Sequence, residues 1–319
     1  MFKILLILIF STQIFANKIV DLYVQEGIDA VEAYINKQLI SKDYWRDLLQ
    51  AQDVRYGYYE DIKNLLIANK HKKTLEVYGR TETGFNLVKS YNAIMGKDGD
   101  KKVEGDLKTP IGVYTITKRF KPNDLFYGPL AYALSYPNTM DKVYQKNGYG
   151  IWIHGSPLDG SQRDPMSKGC IVLDNEKIQL LDTQLHAQNT IIIVGEDSIP
   201  QVNIDDLSVI LANLYHWKKV WSDNSLESYL SFYDDSFRRF DGKGIDAFKK
   251  LKRYVFENDS KKEIKISNIN IAPYPNTKGQ KIFKIAFYEE YKSKKHSFNG
   301  NKELYVKLNG EKFSILVEK

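Results

Sequence analysis

Hydrophobic and polar residues alternate along this chain with a period that changes twice. Near the amino terminus Ile28, Val31, Ile35 and Leu39 fall three or four apart, the spacing of one helix face. Ser41 stands where an N-cap belongs, ahead of a second face formed by Tyr44, Trp45, Leu48 and Leu49. The stretch from Tyr58 to Asn69 reads as a third helix. Helices this few bury too little to close a core alone, so they are expected to pack on the next domain or on a second copy of the chain.

From about Lys73 to Gly195 the pattern turns to short apolar runs separated by Gly, Asp, Lys and Pro. The expected strands are Thr74–Tyr78, Phe85–Met95, Ile111–Lys118, Gly150–His154, Cys170–Leu173 and Thr190–Val194. Asn175 to Gln188 reads as a short helix capped by Asn175. The segments 96–110 and 121–147 read as long polar connections, a kind of loop that often carries function.

The third region returns to helical spacing and then to strands. Leu226, Tyr229, Leu230, Tyr233 and Phe237 form one stripe, and Ile245, Phe248, Leu251 and Val255 another. Strands Glu263–Ala272, Lys281–Lys292, Lys302–Leu308 and Lys312–Val317 follow, the last two joined at Asn309-Gly310. Helices followed by an antiparallel sheet give an α+β layout. The chain is thus expected to be multidomain: an N-terminal helical segment over 17–70, a central mostly-β domain over 71–195, a linker over 196–207 and an α+β domain over 208–319.

The first residues, MFKILLILIFSTQIFANK, change the picture of where the protein works. Lys3 precedes an apolar core from Ile4 to Phe10, and a short polar segment ends in Ala16. This is the pattern of a secretory signal over 1–16, too short to span a bilayer comfortably. Either it is cleaved or it is kept as an anchor. No later stretch has the apolar length of a transmembrane helix. A composition of 43% apolar and 27% charged residues is that of a globular chain. The net charge of +6 is spread thinly, and an exported chain without a binding motif is not expected to take nucleic acid.

One cysteine, Cys170, cannot form an internal disulfide, and a free thiol is a liability in an oxidising compartment. It follows Ser167-Lys168-Gly169 and opens an apolar run, so it faces either a packed core or a cleft. Gly169 permits close backbone approach, and the amides around the thiol can point at a developing oxyanion. A thiol needs a base or a positive neighbour to become nucleophilic near neutral pH. His154 ends the apolar strand Ile151-Trp152-Ile153 and begins the turn Gly155-Ser156-Pro157, a placement suited to that base. Its second ring nitrogen needs an acceptor, and the Gly155 carbonyl is a candidate. Ser167 would support the loop or bond the imidazole. Tyr132, Tyr136 and Trp152 are cleft or core aromatics, and Tyr132 and Trp152, with Lys168, are the candidates for binding substrate. The other histidines, His71, His186, His216 and His296, lack metal-ligand spacing.

His154-Gly155, then Ser167-x-Gly169-Cys170 with an aliphatic residue after it, and upstream Thr109-Pro110-x-Gly112-x-Tyr114, together resemble the L,D-transpeptidase catalytic domain (YkuD) family. Two positions depart from the common family pattern: Lys168 stands where a His is usual, and Val172 where an Arg is usual. Lys168 is then either a group that holds a substrate carboxylate or a solvated loop charge. The three-part layout resembles the periplasmic L,D-carboxypeptidases that set cell shape in helical bacteria, whose tail is NTF2-like and whose N-terminal helices serve as a dimerisation arm. The resemblance implies a peptidoglycan stem tetrapeptide cut to a tripeptide, with Cys170 as nucleophile, His154 as base, Gly155 completing the catalytic set, and oxyanion amides at Gly169 and Cys170. No cofactor and no metal are implied. A cross-linking L,D-transpeptidase and a non-catalytic wall-binding protein are the alternatives.

Overall fold

In the computed structural model, residues 18–185, 187–259 and 261–319 are described. The signal reading over 1–16 and His186 lie outside them. Helix α1 (residues 18–26), α2 (Ile28–Leu39) and α3 (Lys42–Leu49) open the described chain. Ser41 Oγ accepts the Tyr44 N–H at 3.5 Å, the expected cap. Trp45 and Leu49 are buried, and the Trp45 ring stacks on Tyr215 at 5.4 Å, so these helices pack on the C-terminal region. On α1 and α2, Val20, Tyr23, Val24 and Ile28 are exposed.

The helical segment expected to reach residue 70 ends at Leu49. Tyr58–Tyr59 is strand β1 and Asn64–Asn69 is strand β2. The apolar run Leu65 to Ala68 is too short for its period to separate helix from strand. In the fold its residues alternate between two faces that are both covered, Leu66 and Ala68 on one side, Leu65 and Ile67 on the other.

The central sheet also contains β3 (Thr74–Thr81), β4 (Gly84–Asn92), β5 (Gly112–Phe120), β6 (Ala131–Leu134), β7 (Trp152–His154), β8 (Ile171–Val172) and β9 (Thr190–Gly195). Its order is β4-β3-β2-β9-β5-β6-β7-β8. β2 and β9 pair in parallel at its centre, as do β7 and β8 at one edge. α5 (Asn175–Gln184) covers one face with Ile178 and Leu181. The stretch read as a long connection holds β6 and helix α4 (Thr139–Val143), which Asn138 closes in a capping box.

The C-terminal domain begins with α6 (Ile204–Ser222), capped by Asn203. The linker expected to run to 207 therefore ends earlier. α7 (Leu226–Leu230) follows, then β10 (Tyr233–Arg239), α8 (Ile245–Asn258), β11 (Lys262–Pro273), β12 (Ile282–Ser293), β13 (Ser297–Asn309) and β14 (Lys312–Glu318). The stripe read through Phe237 as one helix breaks: Tyr233 and Phe237 lie on β10. A spacing of four suits one face of a strand as well as one face of a helix, which is why the pattern misled. The final hairpin turns at Gly310-Glu311, with Asn309 paired to Lys312, one residue later than expected.

The six-stranded sheet, β1-β11-β12-β13-β14-β10, packs on α6, where Trp217 is fully buried. β12, β13 and α8 enclose a cavity of about 460 Å³ whose lining includes Trp221, Lys252, Glu289, Tyr291 and Lys302. Lys302 Nζ lies 2.8 Å from Glu318 Oε1 and 5.1 Å from the centre of the Trp221 ring. The other face of this domain meets the central sheet in one apolar cluster, in which Leu65, Val113 and Ile193 join Tyr274, Tyr305 and Val317. Thr139 Oγ1 donates to Glu303 Oε2 at 2.8 Å, and Asn138 Nδ2 to Tyr274 Oη at 2.9 Å, across that seam.

Candidate active site

The parallel pair β7–β8 positions the two reactive side chains. Ile153 pairs with Ile171, and both enter the core. Alternation sends Trp152 and His154 to the opposite face, and Cys170, one residue before Ile171, shares it. His154 and Cys170 are diagonal neighbours there, with Cα positions separated by roughly 8 Å from a strand spacing of about 4.8 Å and a rise of about 3.3 Å per residue.

His154 is 1% exposed. Its Nδ1 lies 2.7 Å from the Gly155 carbonyl oxygen, which only accepts, so Nδ1 carries the hydrogen and Nε2 presents the lone pair. The Tyr127 ring meets the imidazole edge-on at 5.0 Å. Burial lowers the His154 pKa to about 4, and the nearby Arg163 charge pushes the same way. The imidazole is therefore neutral throughout the mildly acidic and neutral range.

Gly155 is required for space. A Cβ there would sit 2.4 Å from Asn175 Oδ1 and 2.8 Å from Pro129 Cδ. Asn175 Oδ1 accepts the Ser156 N–H at 2.9 Å. Its side chain thus holds the turn after His154. It is the first residue of α5, and the cap position falls to Asp174.

Cys170 Sγ accepts the Trp152 N–H and donates to the Gly150 carbonyl, both at 3.4 Å. Burial pushes the thiol pKa up, against the Trp152 N–H and the charges of Arg163 and Lys101. The free protein thus carries a neutral thiol and a neutral imidazole, so the thiol still needs the base that the sequence reading assigned to it. Gly169 has φ +127°, and a Cβ on it would lie 2.8 Å from the Lys108 carbonyl oxygen. Its N–H donates to Ser167 Oγ at 3.1 Å, so it is not free for an oxyanion. Ser167 Oγ in turn donates to the Cys170 carbonyl at 2.5 Å. Of its two expected roles, Ser167 takes the loop one.

The upstream signature builds the wall behind Gly169. Thr109 Oγ1 accepts the Gly96 N–H at 2.9 Å and so closes the neck of the 96–110 loop. Burial acts against ionisation of Asp106, yet bonds from Lys101 and three backbone amides hold its pKa at about 2 and fix the loop interior. Gly112, at φ +150°, makes room for the Tyr274 and Tyr114 hydroxyls, each within 2.8 Å of where a Cβ would stand.

Among the remaining sequence candidates, Trp152 is half-buried, packed edge-on against Phe120 at 5.0 Å and Tyr127 at 4.9 Å. Lys168 is exposed. Tyr132 is no substrate contact: it is 1% exposed, lies in the core and donates its hydroxyl to Asp182. Tyr136 is buried as well, its hydroxyl on the Asn147 carbonyl at 3.0 Å. Val172, in the place of the usual Arg, is buried and exchanges two backbone hydrogen bonds with Ile94. Sequence reasoning missed Asn175 as a positioning residue, Tyr127 and Arg163. Arg163 Nη2 lies 3.3 Å from His154 Nε2. All three sit in or beside irregular segments where periodicity carries no signal.

The L,D-transpeptidase catalytic domain (YkuD) family matches residues 63–194, and the Cds6 C-terminal NTF2-like domain matches residues 209–319. Comparison with curated proteins found no match. Among solved structures, the helical cell shape determining protein Pgp2 from Campylobacter jejuni is 39% identical, with a TM-score of 0.83, over 88% of this chain and 99% of its own. A mutant of the same protein aligns with a TM-score of 0.85 at 38% identity. Bd1075 from Bdellovibrio bacteriovorus has the same fold, with a TM-score of 0.64 at 24% identity over 84% of this chain and 97% of its own. With a relative this similar over nearly its whole length and both domains matched in order, the chain belongs to the L,D-transpeptidase (YkuD) family, in the group with an NTF2-like C-terminal domain that includes Pgp2.

Proposed function

We propose that this protein is a periplasmic L,D-carboxypeptidase that removes the terminal D-alanine from peptidoglycan stem tetrapeptides and so adjusts the wall that sets cell shape. The observation that carries this reading is the Nδ1–H bond from His154 to the Gly155 carbonyl, which leaves Nε2 as a base on the face shared with Cys170. The amino-terminal signal pattern supports export to the periplasm.

In this mechanism Cys170 Sγ attacks the carbonyl carbon between residue three and the D-alanine while its proton passes to His154 Nε2. Because both groups are neutral beforehand, the thiolate forms only as attack proceeds. The carbonyl oxygen becomes an oxyanion. With the Gly169 amide engaged by Ser167, the Cys170 N–H is the donor that meets it, a contact typically worth about 3 kcal/mol of barrier. The C–N bond breaks, the imidazolium returns its proton to the leaving amine, and D-alanine departs. His154 then deprotonates a water that attacks the thioester. The tripeptide leaves with a new carboxyl group and the proton returns to sulfur.

Incubating purified tetrapeptide muropeptide with the protein and with Cys170→Ala tests this. Tripeptide and D-alanine from the wild type alone support the proposal. Cross-linked dimers would redirect the acyl-enzyme to an amine acceptor, as in a transpeptidase. Unchanged muropeptide with both proteins would leave a wall-binding role.

A further inference from the structure

Arg163 lies in the irregular segment between β7 and β8, nine residues after His154. Its Nη2 donates to His154 Nε2 at 3.3 Å. The guanidinium stacks over the Phe126 ring, 4.7 Å from its centre. Nε and Nη1 are closed off from solvent and have no hydrogen-bond partner. Among the described residues no carboxylate lies within ion-pair distance of it. The loop's own acids are otherwise placed: Asp159 accepts the Ser161 N–H at 3.0 Å, and Asp164 is exposed and acts on Arg163 only through its field.

A half-buried guanidinium with two shielded nitrogens and no anion is costly, and burial accordingly lowers the Arg163 pKa. Native proteins seldom leave such donors empty without a reason. Both forks of a guanidinium, Nε with Nη2 and Nη1 with Nη2, are shaped for one kind of partner, a planar anion held by two parallel bonds, and both use the Nη2 that now lies on His154. The neighbouring residues 161, 162, 164, 165 and 166 are all exposed, so the segment that carries Arg163 borders solvent.

The chemistry at His154 fixes where such an anion would come from. The imidazole must hand its proton to the leaving nitrogen. In a chain-terminal residue a single carbon separates that nitrogen from the free carboxylate. A substrate whose leaving nitrogen reaches His154 Nε2 therefore brings its carboxylate to the place where Arg163 already touches that atom.

We propose that Arg163 is the receptor for the free α-carboxylate of the residue being removed, and that taking up this carboxylate draws the guanidinium off His154 Nε2. In the free protein Arg163 donates to the lone pair that the base must use. The carboxylate offers it a better partner, and the base is uncovered when a chain end is in place. Specificity for terminal residues and release of the base are then one event. This rests on the peptide-cleaving reading above and adds the feature of the substrate that the site recognises.

The test compares a stem tetrapeptide ending in a free carboxylate with the same peptide ending in a carboxamide, using wild type, Arg163→Gln and Arg163→Lys, each checked for native circular dichroism. The wild type is expected to cleave the acid at least about 100-fold faster in kcat/KM. Arg163→Gln should bring acid and amide within about 3-fold by losing rate on the acid, and Arg163→Lys should fall between. An acid-to-amide ratio unchanged in Arg163→Gln, including an equal fall on both peptides, overturns the proposal. Calorimetry with Cys170→Ala and with Cys170→Ala/Arg163→Gln reads the same preference without turnover. The single variant should bind the acid at least about 10-fold tighter than the amide, and the double variant should bind both alike. Equal binding to the single variant overturns the proposal. If the acid is preferred but no D-alanine is ever released, the carboxylate receptor stands and the hydrolase reading falls.

Discussion

The low His154 pKa has a direct kinetic consequence. An exposed imidazole titrates near 6.5, whereas His154, 1% exposed and facing Arg163, titrates at about 4. At pH 5 the first would be neutral in about 3% of molecules and the second in about 90%. Because the proposed base must be neutral, kcat/KM for D-alanine release should hold nearly constant from pH 7 down to pH 5 and lose half its value only near pH 4. The difference of about 2.5 pKa units corresponds to about 3 kcal/mol at about 1.36 kcal/mol per unit. The same difference links to stability. In the window between about 6.5 and 4 the unfolded chain binds this proton and the folded one does not, so His154 makes stability fall as pH falls through that window and contributes no slope above it. The rate should be followed from pH 3.5 to 8 at constant ionic strength. In parallel, the imidazole carbons should be followed by NMR, with the His154 signal identified among five histidines by its loss in His154→Gln. An inflection between pH 6 and 7 in both measurements would refute the argument, because it would mean that the buried imidazole keeps its water-like affinity for the proton.

Two further substitutions probe the turn that holds this imidazole. Gly155→Ala places a methyl 2.4 Å from Asn175 Oδ1 and 2.8 Å from Pro129 Cδ, so D-alanine release should fall at least about 10-fold while far-ultraviolet circular dichroism stays native. Asn175→Ala strips the Ser156 N–H of its acceptor; denaturant unfolding should show a loss of about 1–3 kcal/mol, and a loss below about 0.3 kcal/mol would mean that water replaces the bond without cost.

Much of this molecule is readable from residue order, and the failures have physical causes. Cys170 and His154 stood out because a lone thiol after a glycine and a histidine at a strand end are chemically unusual places. The Gly155 carbonyl was open to inference because a catalytic imidazole needs an acceptor and that group is next in the chain. The long strands β11 to β14 were expected from apolar runs between turn signals, and their ends fall within one residue of expectation except the start of β13, which comes five residues earlier. β2 was misread because Leu65 to Ala68 are buried on both sides, which erases alternation. Tyr132 was misplaced because the segment 121–147 read as one long connection, and nothing in it announces the four-residue strand β6 that carries this ring into the core. Arg163 was invisible for another reason: its contacts with His154 and Phe126 are made by an irregular loop, and no period or cap announces them. The unavailability of the Gly169 amide likewise depends on a side-chain bond from two residues upstream.

The apolar seam between the two sheets sets how the parts of this protein can be separated. Leu65 and Ile67 of β2 and Ile191 and Ile193 of β9 turn their outer faces to Tyr274, Tyr305 and Val317, while β1 leaves the catalytic half to pair along β11. Neither half finishes its own interior. Cutting the chain near residue 209 would therefore yield no freestanding catalyst but a sheet with one greasy side bare to water, prone to stick to its own kind. For the same reason any hinge between the catalytic half and the half that holds the C-terminal cavity would have to bare that shared grease to water, a toll on every swing.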